Sequence, residues 1–197
     1  MSNAAIGSLP TAMIGGAFLH KIGLRILISG GLAVAAGGVL IATLGLSLGL
    51  GWLIAGSTLA GAGVGAAVSV ASSAIVGNAP VRNAGMAASV EEVSFEFGGL
   101  IAVALLGNLM AAVYSLSLVP PEGIPAAAGS SFSEALAIAE TLGSEGATLK
   151  DVASRAFDHA FLTVMYVVAG VIAFGALFTG VLLRPYGPGS QSSLYPH

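Results

Sequence analysis

Residues 26–48 read ILISGGLAVAAGGVLIATLGLSL, 23 apolar or small residues in a row without a charge. A helix rises 1.5 Å per residue, so about 20 such residues cross roughly 30 Å of hydrocarbon. The run is long enough to span a bilayer, and a helix satisfies its own backbone groups, as lipid demands. Working outward, residues 52–76 repeat the pattern, with Trp52 at the start, where an amphipathic ring suits the membrane interface. Residues 160–183 form another clean span. Residues 84–118 are a further apolar stretch, unusual in carrying Glu91, Glu92 and Glu96. Upstream, residues 4–19 make a shorter run interrupted by Pro10, which reads as part of a span. A secretory signal places basic residues before its apolar segment, whereas Lys21 and Arg25 follow this one. The sequence therefore predicts an all-α integral membrane fold of four complete transmembrane helices and one partial one.

Composition agrees with that reading. Of 197 residues, 56% are hydrophobic and only 8% charged. A soluble domain carries about 25% charged residues to keep its surface hydrated. Here the surface must face lipid instead. The 29 glycines fall largely inside apolar runs, where a missing side chain lets helices approach. A net charge of −3 gives no footing for nucleic acid, and the absence of Cys excludes disulfides, thiolate metal sites and Cys nucleophiles.

The chain reads as a single membrane domain over residues 1–197. Residues 77–83 (GNAPVRN) are a polar break, residues 119–158 an external loop, and residues 184–197 a tail. Lys21, Arg25, Arg82 and Arg184 lie in alternating connections, and basic loops mark the cytoplasmic side. The C-terminus is thus predicted inside, with the chain in the plasma (inner) membrane. Within the loop, residues 133–142 have helical apolar spacing and Gly143 as a stop. Thr148 to Asp151 has the form of a capping box, starting a second helix that runs into the last span.

Glu91, Glu92 and Glu96 are the residues most suited to chemistry. A charge in mid-span costs a few kcal/mol on insertion scales, so it belongs beside a cavity or a partner. Glu92 and Glu96 are four apart and share a helix face, while Glu91 points about 100° away from Glu92. Poor hydration and a like-charged neighbour both favour the protonated form of a carboxyl. Groups so placed take up a proton, release it when hydration changes, and attract a lipophilic cation. The opposing expectation is that Glu91 and Glu92, near Pro80 and Arg82, are solvated at headgroup level; Glu96 lies deepest.

Gly61, Ala62, Gly63, Val64 and Gly65 mimic a dinucleotide fingerprint, but no strand precedes them and no acid follows at the needed spacing. Gly61 and Gly65 read instead as a small-residue helix contact, as do Gly85, Gly98 and Gly99. His20 and His159 sit at predicted span ends and read as interfacial, and His197 is in the tail. Neither a catalytic triad nor a metal-ligand spacing is present in the sequence, so no enzyme activity, metal or cofactor is expected.

Residues 77–108, GNAPVRNAGMAASVEEVSFEFGGLIAVALLGN, resemble the second-last membrane helix of 14-span drug/proton antiporters of the major facilitator superfamily. The likeness is to the antiseptic and quaternary-ammonium exporters of the QacA/SmvA type. There a turn with Pro leads to a Gly/Ala run, then Val-Glu-Glu or Val-Glu-Thr, and an acid and Gly one turn later, as Val90, Glu91, Glu92, Glu96 and Gly98 stand here. Upstream, Gly16, Lys21, Gly23 and Arg25 are similar to the superfamily's cytoplasmic-loop motif, with His20 in place of its usual acid. The resemblance implies the end of a C-terminal bundle, with Glu92 and Glu96, and less firmly Glu91, binding protons and cationic solutes. It also implies that the first bundle is missing, so this stretch alone is not expected to transport. Its partners are the bilayer, protons, lipophilic cations and the missing N-terminal helices. The alternative expectation is a small membrane protein that scaffolds or modulates a partner.

Overall fold

A computed structural model describes residues 24–119, 130–143 and 146–184. Among them every regular element is helical: α1 (Leu24–Leu48), α2 (Leu50–Gly77), a 3-10 turn (Val81–Asn83), α3 (Ala84–Ser117), α4 (Phe132–Thr141) and α5 (Gly146–Leu182). Four segments are long and apolar enough to cross a membrane: Arg25–Leu48, Leu50–Gly77, Val81–Ser117 and Gly146–Leu182. These are the four spans expected from the sequence. Their outward residues are large and apolar; Val103 is 74% exposed and Phe174 68%. In water such surfaces are untenable, and in lipid they are the ordinary exterior of a span. The partial span over residues 4–19 lies outside the described residues, as do Gly16, His20, Lys21 and Gly23.

The described residues fall into two compact units. One holds residues up to Phe95 and from Val168 onward; the other runs from Glu96 to Val167.

In the first unit, α1 and α2 are an antiparallel pair joined through Gly49. Its φ of 115° is open to glycine at little cost, and Trp52 N–H donates back to its carbonyl at 3.1 Å. The seam between them is made of small residues. On α1 these are Gly31, Ala35, Gly38, Ala42 and Gly45, and on α2 Gly56, Ala60, Gly63, Ala67 and Val70. Steps of four and three alternate, giving a period of about 3.5, the repeat that keeps one stripe facing a partner along a left-handed crossing. A Cβ on Gly38 would meet the backbone of Ala60, one on Gly56 that of Ala42, and one on Gly63 that of Ala35.

The seam runs through other glycines than those singled out from the sequence. Around Gly61, Gly65, Gly85, Gly98 and Gly99 a Cβ would meet nothing within 4 Å. The contact stripe passes through Gly63, the glycine between the two chosen, because the partner repeats every seven residues and a single four-residue spacing does not reveal its phase.

In the second unit α4 packs on the first turns of α5 and the end of α3. Ser131 caps α4 by accepting from the Glu134 N–H at 3.2 Å, and the Ser130 hydroxyl donates to Glu134 Oε2 at 2.7 Å. Gly143, at φ 58°, ends the segment, as the sequence predicted. Ala135, Ala139, Leu149, Ala153, Ala156 and Ala160 form a core with Tyr114 and Leu118. Phe132 lies edge-on to Tyr114 at 6.3 Å and beside Phe157 at 4.6 Å. The expected second loop helix does run into the last span, but it begins at Gly146 rather than at Thr148. Thr148 therefore lies inside the helix and caps nothing. The earlier start places Gly146 against the Ala139 backbone, where no side chain fits.

Candidate functional site

α3 positions the three carboxylates. It is a 34-residue helix whose only charged side chains are Glu91, Glu92 and Glu96. Glu91 is half-buried, and its Oε2 accepts a hydrogen bond from the Ser72 hydroxyl of α2 at 3.2 Å. Glu92 and Glu96 are exposed. Glu91 and Glu92 belong to the first unit, and Glu96 is the first residue of the second. Helical register sets Glu92 and Glu96 one turn apart on a shared face. The hydroxyls beside them are occupied: Ser89 donates to the Gly85 carbonyl at 2.9 Å and Ser94 to that of Val90 at 2.7 Å. Neither turns toward a carboxylate.

Among the described residues the carboxylate with a side-chain partner is thus Glu91, one of the two that the opposing expectation solvates at headgroup level. Ser72 was missed because a serine in an apolar run is common, and its neighbour Ser73 donates to its own helix, to the Ser69 carbonyl at 2.8 Å. One signal was available. Ser72 stands five residues before the end of α2, and Glu91 seven after the start of α3, which are facing depths on antiparallel neighbours.

Arg25, read from sequence as part of a cytoplasmic-loop motif, has a definite place. Its Nε donates to the Gly180 carbonyl at 2.7 Å. That carbonyl lies in the last turn of α5, where intrahelical donors run out. Ser29 is the side chain nearest Gly180, and Leu32 the one nearest Gly175, so α1 meets the end of the last helix along one side. The start of α1 and the end of α5 therefore lie together within the first unit.

At the loop end, Asp151 and Arg155 pair at 2.9 Å across one turn, both well exposed. Ser117 Oγ and His159 Nδ1 lie 3.1 Å apart, linking α3 to α5. These groups border an open cavity of about 490 Å³. The ion pair is worth little in water, and its partners neutralise each other, so the cavity presents no unpaired charge to a solute. No cluster of three or more His, Asp or Glu suited to a metal occurs among the described residues.

The chain is 29% identical over 194 residues to the multidrug efflux pump LfrA of Mycolicibacterium smegmatis, covering 92% of this chain and 38% of that protein. It is likewise 29% identical over 152 residues to the methyl viologen resistance protein SmvA of two Salmonella typhimurium strains, covering 73% of this chain and 30% of the relative. The chain therefore spans less than two fifths of the length of these relatives. No family model and no solved structure matches it. The resemblance read from residues 77–108 to drug exporters of the SmvA type is borne out by these relatives. With four helices long and apolar enough to cross a membrane, the chain is a multi-pass membrane protein similar to part of major facilitator multidrug efflux pumps.

Proposed function

We propose that these spans form part of a proton-coupled exporter of lipophilic organic cations, with Glu92 and Glu96 as the groups that exchange protons for the solute. The observation that carries the reading is the presence of three carboxylates on an apolar helix that has no Lys or Arg of its own. Nature tolerates such a helix where a water-filled or solute-filled path runs beside it. The exposed face of Glu92 and Glu96 supplies negative charge without a fixed counter-ion on the same helix, which suits a cation lacking hydrogen-bond donors. The relatives, one a multidrug efflux pump and one a methyl viologen resistance protein, support export of this chemical class. Alternating access requires two helical bundles moving about a midplane site, so the activity is assigned to the complete gene product.

The test is export of a fluorescent lipophilic cation from proteoliposomes carrying that product, with an imposed proton gradient. Glu96→Gln is expected to lower the export rate at least tenfold and to flatten its dependence on pH. Export that keeps its full proton dependence in Glu96→Gln removes this residue from the mechanism.

A further inference from the structure

The last helix is longer than a bilayer requires. α5 has 37 residues, which at a helical rise make roughly 55 Å against about 30 Å of hydrocarbon. From Ala160 to Leu182 it carries no charge, and that stretch fills the hydrocarbon layer. Lys150, Asp151, Arg155, Asp158 and His159 all precede it. His159 therefore marks the edge of the layer, with Arg155 about 6 Å and Asp151 about 12 Å beyond it. The polar layer on each side of a bilayer is roughly 5–8 Å deep. Arg155 thus stands at the depth of lipid phosphates, and Asp151 one turn further out.

Both residues border the cavity of about 490 Å³ in the second unit, a volume suited to a small ligand. Val119, Val152 and Ala156 give it an apolar wall, while Lys150 and Asp158 are not part of its lining. Its polar groups have bonding capacity left among the described residues. Arg155 meets Asp151 through one nitrogen, Nη2, and Asp151 answers through one oxygen, Oδ2. His159 is engaged through Nδ1 with Ser117 Oγ, which leaves Nε2. The charges of the pair sum to zero, so a simple ion of either sign meets repulsion as well as attraction. A zwitterion escapes that conflict when its charges come in the complementary order.

We propose that this cavity binds the headgroup of a zwitterionic phospholipid with a primary ammonium, of the phosphatidylethanolamine type. In such a lipid the phosphate adjoins the glycerol and the ammonium lies beyond it. Arg155 on the inner side faces the phosphate, and Asp151 on the outer side faces the ammonium. The glycerol end lies against Val152 and Ala156, toward the hydrocarbon. A choline headgroup has the same order of charges but no N–H to donate to Asp151, so it binds more weakly. A soluble zwitterion lacks the acyl chains that hold a headgroup at this depth. The site requires the spans alone and is independent of the exporter mechanism.

The test uses the complete chain, labelled with ¹⁵N, in phosphatidylcholine nanodiscs into which phosphatidylethanolamine is mixed. The backbone amide signals of Ser117 and Val119 are followed, since they border the cavity and no variant alters them. They are expected to shift and saturate, with phosphatidylethanolamine preferred over phosphatidylcholine about threefold, as befits an exposed charge pair. Asp151→Asn removes the preference. Exchanging the pair, Asp151→Arg with Arg155→Asp, keeps an ion pair but reverses its order, and the preference is again lost. The pair is exposed, so neither variant disturbs the buried core. Equal response to the two lipids overturns the proposal, as does a preference that survives the exchange. An equal or larger response to phosphatidylglycerol marks an anion site and also overturns it. Saturation by water-soluble phosphoethanolamine in discs of phosphatidylcholine alone assigns the cavity to a free solute and overturns the lipid assignment.

Discussion

Glu91 and Glu96 differ in surroundings although five residues separate them. Glu91 is half-buried with a hydroxyl donor, and Glu96 stands open. Substitution should tell them apart. Glu96→Gln is expected to lower export by the complete product at least tenfold, whereas Glu91→Gln is expected to retain most of it. Arg25 offers a second test at this scale. Its bond to the Gly180 carbonyl satisfies an acceptor that the end of α5 leaves without an intrahelical donor. Arg25→Ala should cost about 1–2 kcal/mol and raise amide exchange in residues 180–184, measured by mass spectrometry in nanodiscs. Arg25→Lys recovers part of the protection, because an ammonium reaches the carbonyl without the planar Nε geometry. Exchange unchanged in Arg25→Ala contradicts the assignment.

Among the elements, the α1–α2 pair makes the sharpest claim. Its seam is so close that Gly38, Gly56 and Gly63 leave no volume for a side chain. Gly56→Leu or Gly63→Leu should separate the helices, with a loss of at least 1–3 kcal/mol, read as lost crosslinking between cysteines placed at Ala35 and Ala67. Gly61→Leu and Gly65→Leu should leave that crosslinking intact, because their surroundings are open. The same comparison shows how far sequence carries. Span number and type follow from hydropathy alone, since 23 uncharged residues over 26–48 have one stable outcome in lipid. The loop helix with its Gly143 stop was equally legible, because capping chemistry is local. The seam was not read, because its phase depends on a partner helix; the sevenfold spacing of Gly31, Gly38 and Gly45 was the available clue. Nor was Ser72, since a tertiary hydrogen bond leaves no local pattern. The carboxylates were found from their cost in lipid, but which of them has a partner required coordinates.

For the whole molecule, everything depends on the carboxylate helix lying within the membrane beside a path, with lipid covering the exposed apolar faces of the spans. The natural chain contains no Cys, so single thiols report without background. The most direct measurement compares Glu96→Cys with Ser130→Cys for reaction with a charged, membrane-impermeant thiol reagent in sealed vesicles. The account predicts that Glu96→Cys reacts at least a hundredfold more slowly than Ser130→Cys at the loop, and is slowed further by a lipophilic cation. Equal rates at the two positions, with no protection by the cation, contradict it.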